Sequence, residues 1–393
     1  MAGEAPAARP RIAALDIVRG AVMVLMAIDH VRVYSGLPPG GPTPGIFFTR
    51  WVTHFCAPAF VFLAGTGAFL HGQKLGDRTA LSKFLVSRGA WLVLLELTVI
   101  RLSWTFNLDF AHYLLAGVIW AIGWSMILLA LLIHLSTGWV AGIGAVIVAG
   151  HNLLDPHLKD LAASASQSSL AWLWQILYFG GPVRFGEQGS PLVVLYVLIP
   201  WVGVMALGYG FGAIMRWDAE RRRQACLRIG LGAIATFLVL RGFNLYGDPR
   251  PWGSPGMPGL LSFLNTTKYP ASLLFLLMTL GPTIAIIPWL EGAEGRVAGV
   301  LTVFGRVPLF YYLLHIPLIH LLAVLASLLR YGEAIPWLFA NHPMMVPEAP
   351  EGYQWGLGQL YLVTAIAVGI LYFPCRWFAG VKQRSRETWL SYL

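Results

Sequence analysis

The segment Arg11–Tyr34 reads RIAALDIVRGAVMVLMAIDHVRVY, and it is long enough to cross a bilayer, which takes about 20 apolar residues in a helix. Four ionisable residues, Asp16, Arg19, Asp29 and His30, interrupt its apolar pattern. A charge at bilayer depth costs about 2.5–3.5 kcal/mol on insertion scales, so such residues face a bundle interior or a water-filled cavity. The segment therefore predicts the first helix of a multi-helix membrane bundle.

The composition supports an integral membrane protein. Hydrophobic residues make up 57% and charged residues 11% of the 393 residues, whereas soluble domains have about 25% charged residues. At about 20 residues per span plus short loops, the chain has room for about ten spans. We therefore expect a single membrane domain over residues 1–393, which excludes a cytosolic enzyme, a secreted disulfide scaffold and a single-span receptor.

Apolar windows along the chain predict an all-α helical bundle of ten or eleven transmembrane helices. The first window is broken by Asp16 and Arg19 and lacks a cleavage motif, so we expect it to be retained as a span rather than removed as a signal peptide. The ten windows lie near 12–34, 52–72, 89–106, 112–134, 138–154, 191–215, 229–247, 269–290, 299–329 and 356–378.

The formal net charge of +9 comes from Lys and Arg that cluster between the apolar windows. Because basic loops resist translocation, their distribution predicts that both termini are cytoplasmic, with a short cytoplasmic tail over residues 1–11. The most basic stretch, WDAERRRQ at 217–224, is then an orientation signal beside anionic lipid, and no nucleic-acid partner is expected. This topology makes the segments near 155–190, 248–268 and 330–355 extracytoplasmic.

The polar residues of the first helix are spaced so that they share a face. Asp16 and Arg19 are three residues apart and can pair, which would lock this helix against its neighbours or begin a polar stripe. Arg19 and His30 are eleven residues apart, which places both on one face about 16 Å apart along the axis. Asp29 precedes His30 and is a candidate to orient its ring through an intervening group, because adjacent helical residues point about 100° apart.

The second window opens with THFCAPAFVFLAG and places His54 at the same outer level as His30, so the two imidazoles are expected to line one cavity. Lys268 and Tyr269 lie at the start of the eighth window, at the outer boundary of the membrane. The chain has only three cysteines, Cys56, Cys226 and Cys375, with no zinc-site or disulfide spacing. Cys56 is expected to be a small core residue rather than an acyl carrier.

The ninth window contains VFGRVPLFYYLLHIPLIHLL, in which Pro308 and Pro317 interrupt the helix and polar side chains lie beside the breaks. Such residues suit a cavity wall. His315 and His320 are five residues apart, hence about 140° off a common face, and the chain has no HExxH motif. No metal site is therefore predicted.

The chain resembles, from about residue 11 to 393, the bacterial members of the heparan-alpha-glucosaminide N-acetyltransferase-like membrane family. The spacing of Arg19 and His30 is also similar to the first helix of the wider transmembrane acyltransferases that modify envelope polysaccharides. The segments that carry the family resemblance are, in order, LDIVRGAVMVLMAIDH, THFCAPAFVFLAG, IWAIGWSMILL, PWVGVMALGYGFG, NTTKYPASLLFLLMTLGP, FGRVPLFYYLLHIPLIH and the terminal WLSYL.

The resemblance implies transfer of an acetyl or other acyl group from cytoplasmic acetyl-CoA to an amine or hydroxyl of an extracytoplasmic sugar, glycan or small molecule. It further implies a multi-pass protein of the bacterial cytoplasmic (inner) membrane, with membrane lipids as partners and a homodimer as a possible assembly. On this reading the site residues divide into catalytic ones (His30 first, His54 second, with Asp29), coenzyme-binding ones (Arg19, Asp16 and Arg306) and acceptor-binding ones (Lys268, Tyr269 and His315).

One departure from the family pattern affects the choice of base. In the lysosomal enzyme the histidine assigned to catalysis lies in the first lumenal loop, but this chain has no histidine between His30 and His54. The role cannot be transferred by position, and heparan sulfate is not the expected acceptor. Two other functions stay open: a transporter whose polar stripe conducts protons or anions, and a non-catalytic membrane scaffold.

Overall fold

The computed structural model describes residues 12–38, 40, 43–166, 168–186, 189–253, 256–385 and 387–392. The predicted cytoplasmic tail over 1–11 lies outside the described residues. Helices dominate the rest. They are α1 Ala13–Tyr34, α2 Pro44–Trp51, α3 Cys56–Leu75, α4 Arg78–Leu95, α5 Arg101–Thr105, α6 Val118–Leu132, α7 Thr137–Gly150, α8 Leu158–Ser166, α9 Ala171–Trp174, α10 Leu198–Ile214, α11 Ala219–Gly242, α12 Gly259–Leu264, α13 Leu273–Leu290, α14 Arg296–Arg306, α15 Pro308–Tyr331 and α16 Leu357–Arg384.

The helices form the bundle of an integral membrane protein, and every predicted apolar window coincides with one or more of them. α1 has 22 residues but carries several ionisable side chains, which it keeps inside the bundle. Two further helices, α6 and α10, are apolar but shorter. Within the described ranges, six helical segments are long and apolar enough to cross a membrane: Pro44–Leu75, Thr137–His157, Ala219–Gly242, Leu273–Leu290, Pro308–Tyr331 and Leu357–Arg384.

A small β-sheet corrects the purely helical prediction. β1 (Leu114–Ala116) pairs in parallel with β3 (Leu192–Val194), which pairs antiparallel with β2 (Gly181–Val183). The windows at 112–134 and 191–215 were expected to be helical from their first residues, yet helices begin only at Val118 and Leu198. Hydropathy alone does not distinguish a short apolar strand from a helical turn. The two windows therefore include β1 and β3 at their starts.

Small residues let the central helices touch backbone to backbone. A Cβ added to Gly20 of α1 would lie 1.9 Å from the Leu301 carbonyl oxygen of α14, and one added to Gly305 would lie 1.8 Å from that of Asp16. Such close approach is how helices associate where lipid replaces water. α1 also packs against α3, α13, α15 and α16, so its polar residues lie at the centre of the bundle.

The predicted break in the ninth window is present at Pro308 and absent at Pro317. α14 ends at Arg306, Val307 leaves helical geometry at φ −131° and ψ 50°, and α15 begins at Pro308. Pro317 instead lies inside a continuous α15. The uninterrupted helix carries His315 toward α1.

Candidate active site

A histidine pair joins α1 to α15. The Nδ1 atom of His30 lies 2.6 Å from Nε2 of His315, and the two rings stack with centroids 4.8 Å apart. His315 is fully buried, and its Nδ1 lies 2.7 Å from the carbonyl oxygen of Tyr312 one turn earlier on α15. Trp104, near the end of the predicted third window, packs edge-on against His30 at 4.8 Å.

The hydrogen-bond network assigns the tautomers of both rings. A carbonyl oxygen only accepts, so Nδ1 of His315 carries its hydrogen and donates to Tyr312, which leaves Nε2 of a neutral His315 as an acceptor. Nδ1 of His30 therefore donates to that nitrogen. The unprotonated Nε2 of His30 forms no hydrogen bond with any residue that the structure describes, so this nitrogen is available as a base.

The contacts of Asp29 and His315 differ from those that the sequence analysis expects. The Asp29 carboxylate lies 2.9 Å from Nε of Arg32, one turn later on α1, and does not hold the His30 ring. His315, predicted to contact the acceptor, has both ring nitrogens occupied and no exposed surface. The reason is helical geometry: Asp29 points about 100° away from His30, whereas α15 brings His315 directly against it. His315 is therefore placed to orient the His30 ring.

His54, the second histidine predicted to be catalytic, lines a cavity that we call the outer cavity, and His30 is not among the residues that line it. It has a volume of about 390 Å³ and is lined by Arg50, His54, Pro249, Arg250, Asn265, Thr266, Thr267, Lys268 and Tyr269. His54 lies on the short 3₁₀ turn Val52–Phe55 between α2 and α3. Its ring is 6% exposed, and both ring nitrogens are buried without a hydrogen-bond partner in the described chain.

Lys268 and Tyr269 lie in this cavity as part of its wall. The Lys268 ammonium lies 5.2 Å from the Tyr269 ring centroid and 6.0 Å from that of Tyr196, within the range of cation–π attraction. Lys268 also interacts electrostatically with Asp29, His30 and His54. The positive charge of Lys268 therefore acts on both His54 and His30.

Two polar side chains, the half-buried Asp248 and the buried Arg241, hold the loop that forms one wall of the cavity. Asp248 accepts hydrogen bonds from the backbone N–H of Thr267 at 2.7 Å and from the Ser272 hydroxyl at 2.8 Å. The fully buried Arg241 of α11 donates to the carbonyl oxygens of Phe263 and Arg250, among others.

Arg50 and Arg250 are cavity residues that the sequence analysis did not single out. Both stand in segments that the topology places on the outer side, where the positive-inside rule makes basic residues unusual. Their placement in outer segments was the one signal in the sequence that could have marked them as candidate site residues. The residues are 200 positions apart in the chain, so no local motif joins them.

The predicted coenzyme residues gather near the N-terminal end of α1. Arg19 lies 3.4 Å from the Asp16 carboxylate, which confirms their predicted pairing, and it donates to the carbonyl oxygen of Leu63 at 3.1 Å. The contact between Gly305 and Asp16 brings the end of α14, with Arg306, to the same place. The Nε atom of Arg306 is buried without a partner in the described residues.

The remaining candidates have structural surroundings. Cys56 is buried and its thiol donates to the carbonyl oxygen of Val22 at 3.2 Å, and Cys226 and Cys375 are likewise free and buried. His320 stacks on Phe106 at 3.8 Å, away from the His30 pair. No group of three His, Cys, Asp or Glu residues is arranged to hold a metal ion in the part of the chain that the structure covers.

Comparison with known proteins gives one family. A family model described as heparan-alpha-glucosaminide N-acetyltransferase, catalytic, matches residues 11–244, more than half of the chain. The match contains Asp16, Arg19, His30 and His54, whereas Lys268 and His315 lie beyond it. No curated protein matches the chain.

Proposed function

This chain belongs to the heparan-alpha-glucosaminide N-acetyltransferase catalytic family, and we propose that it moves an acetyl or other acyl group from cytoplasmic acyl-CoA to an amine or hydroxyl of an extracytoplasmic sugar or small molecule. The observation that carries the proposal is the His30–His315 pair. A base that is hydrogen-bonded to an orienting group is the arrangement that general-base catalysis requires.

The proposed topology has ten spans, with both termini in the cytoplasm of a bacterial inner membrane. It rests on the excess of Lys and Arg in alternate loops. In this orientation the N-terminal end of α1 faces the cytoplasm, and the outer cavity opens on the opposite side. The donor and the acceptor would then approach the histidine pair from opposite faces of the membrane.

His30 performs the proton transfers in this mechanism. Its Nε2 takes the proton of the acceptor amine or hydroxyl while the acceptor nitrogen or oxygen attacks the thioester carbonyl carbon. The new C–N or C–O bond forms, the C–S bond breaks, and the imidazolium returns its proton to the leaving thiolate. His315 stabilises the imidazolium because its Nε2 accepts the hydrogen of His30 Nδ1. General-base help of this kind contributes roughly 10²–10⁴ in rate.

Arg19 and Arg306 are proposed to bind the phosphates of the donor, with Asp16 fixing the Arg19 side chain. Guanidinium groups match phosphate oxygens in geometry and keep their charge at any physiological pH. This assignment is supported by the buried Nε of Arg306, which has no hydrogen-bond partner in the part of the chain that the structure covers. His54 and Lys268 are proposed to contact the acceptor, since both line the outer cavity.

The test is acyl transfer across a sealed membrane. The full chain is reconstituted in liposomes with glucosamine trapped inside and acetyl-CoA added outside, and N-acetylglucosamine is measured after lysis. We expect product only when protein and acetyl-CoA are both present, and a raised KM for acetyl-CoA in Arg306→Gln but not in the exposed-loop control Arg184→Gln. Escape of unmodified glucosamine without product would contradict the proposal and favour a transporter.

A further inference from the structure

We infer that the outer cavity is an oxyanion site formed by Arg50, Arg250 and Lys268, and that the acceptor enters with a phosphoryl or carboxylate group bound there. The cavity itself is argued from its side chains. Its assignment to the acceptor rests on the proposed acyl transfer.

The cavity is lined by three cations, and none of them forms an ion pair with a carboxylate among the described residues. Lys268 is 9% exposed, yet no described residue forms a hydrogen bond or an ion pair with its ammonium group. The same holds for the Arg50 guanidinium within the described residues. Arg250 uses only Nε, which donates to the Thr267 hydroxyl at 3.0 Å. Arg50 is half-buried and Arg250 is exposed, whereas Lys268 is held largely out of water. Keeping a cation out of water is costly unless an anion compensates, and an anion bound in the cavity supplies that compensation.

The nearby carboxylates are already engaged elsewhere. Asp29 is bound by Arg32 at 2.9 Å. Asp248 accepts from the Thr267 hydroxyl at 2.9 Å, from two further groups of the loop and from the backbone N–H of Arg250 at 2.9 Å. Neither carboxylate is among the residues that line the cavity. The local excess of positive charge therefore faces the cavity.

His54 supplies the second, independent sign of a ligand. Both of its ring nitrogens are buried and have no hydrogen-bond partner among the described residues, and His54 is part of the cavity wall. A buried polar atom without a partner costs about 1–3 kcal/mol, so a ligand that hydrogen-bonds to it recovers that energy. An acceptor hydroxyl or an oxyanion supplies this bond.

The size of the cavity limits the ligand. About 390 Å³ lies in the lower part of the range of roughly 300–1,000 Å³ for small-molecule sites. It suits one sugar unit with one charged substituent. Charge-assisted hydrogen bonds from arginine are about twice as strong as neutral ones, so the charged substituent dominates the choice of acceptor.

The experiment compares three probes on the purified full-length protein by thermal shift: glucosamine, glucosamine 6-phosphate and glucuronate. We expect the two anionic probes to bind at least tenfold more tightly than glucosamine. The preference falls at least tenfold in Arg50→Gln and in Lys268→Gln and is unchanged in Arg184→Gln. Comparing the phosphate with the carboxylate identifies which oxyanion fits better. If Lys268→Gln does not fold, Lys268→Met and Arg50→Gln make the same test.

Equal binding of the neutral and anionic sugars would overturn the oxyanion site, as would an undiminished preference in both variants. The acyl-transfer assay separates this failure from that of the proposed function. Transfer to neutral glucosamine with no gain from the phosphate overturns the oxyanion site alone. Tight anion binding with no transfer to any acceptor overturns the assignment of the anion to an acceptor.

Discussion

The orientation of His30 depends on one neighbour, His315, which accepts its Nδ1 hydrogen at 2.6 Å. We predict that His315→Ala lowers kcat about tenfold or more with little change in the KM for the acceptor, because the ring of His30 loses its fixed tautomer while the outer cavity stays intact. His315→Gln should recover part of the loss, since its amide oxygen can accept the same hydrogen. Steady-state kinetics of the three proteins measure this. An unchanged kcat in His315→Ala would contradict the positioning role.

We predict that the stability of the protein depends on pH because of His342, which lies in the loop between α15 and α16. His342 is fully buried, its Nε2 lies 3.0 Å from the carbonyl oxygen of Trp337, and burial lowers its pKa to about 4 from 6.5. The unfolded chain thus binds a proton that the folded one does not. The resulting stability is fully present above about pH 6.5 and is lost as the pH falls towards 4.

The measurement for His342 is thermal unfolding between pH 7.5 and 4.5. We expect the wild type to lose stability by up to about 1.4 kcal/mol per pH unit more than His342→Asn in the window from about 6.5 to 4. The asparagine does not titrate there. Identical slopes for the two proteins would show that His342 takes up its proton equally in the folded and unfolded states, which would contradict the lowered pKa.

At the scale of the secondary-structure elements, the contact with α14 fixes the position of α1, the helix that carries Asp16 and Arg19. We predict that Gly20→Ala destabilises the protein by about 1–3 kcal/mol, because the new Cβ would meet the Leu301 backbone at 1.9 Å and backbone cannot rotate away. The matched control is Gly369→Ala on α16, where nothing lies within 4 Å of the added Cβ. That control should be neutral or slightly stabilising, since alanine favours helix.

Thermal unfolding in detergent compares the two glycine variants. A melting temperature of Gly20→Ala at or above that of Gly369→Ala would mean that α1 and α14 separate without cost. The close packing would then not be what positions Asp16 and Arg19.

The sequence predicted long elements of secondary structure better than short ones. Long apolar windows found the helices, because length and hydropathy fix a span. The three-residue strands were missed, since short apolar runs carry no periodicity. The pairing of Asp16 with Arg19 was predictable from a spacing of three. The contact of His30 with His315 was not, because it joins residues 285 positions apart and depends on how α15 packs against α1.

In the candidate site, too, the sequence did not predict which distant residues come together. His54, Lys268 and Tyr269 were selected because each lay near the predicted outer boundary, and the structure places all three on one cavity wall. Arg50 and Arg250 looked like ordinary loop residues, and only the packing of their loops brings them together. Sequence reasoning assigned a level in the membrane to each residue but not the direction of its side chain.

At the scale of the whole molecule, the proposed topology would place both termini on one side of the membrane and the loop near 155–190 on the other. We predict that a cysteine at Arg184→Cys reacts with a membrane-impermeant maleimide in intact cells, whereas Lys83→Cys reacts only after permeabilisation. The native cysteines are buried and give little background. The reverse labelling pattern would invert the orientation and with it the assignment of donor and acceptor sides.

The central claim is that His30 is the general base of acyl transfer. The most direct measurement is kcat for acetyl transfer from acetyl-CoA by the full chain carrying His30→Gln, beside the wild type and His112→Gln, whose histidine lies in an exposed loop. The account predicts a loss of roughly 10²–10⁴ in His30→Gln and no loss in His112→Gln. A His30→Gln protein that is folded and retains the wild-type kcat would contradict the account.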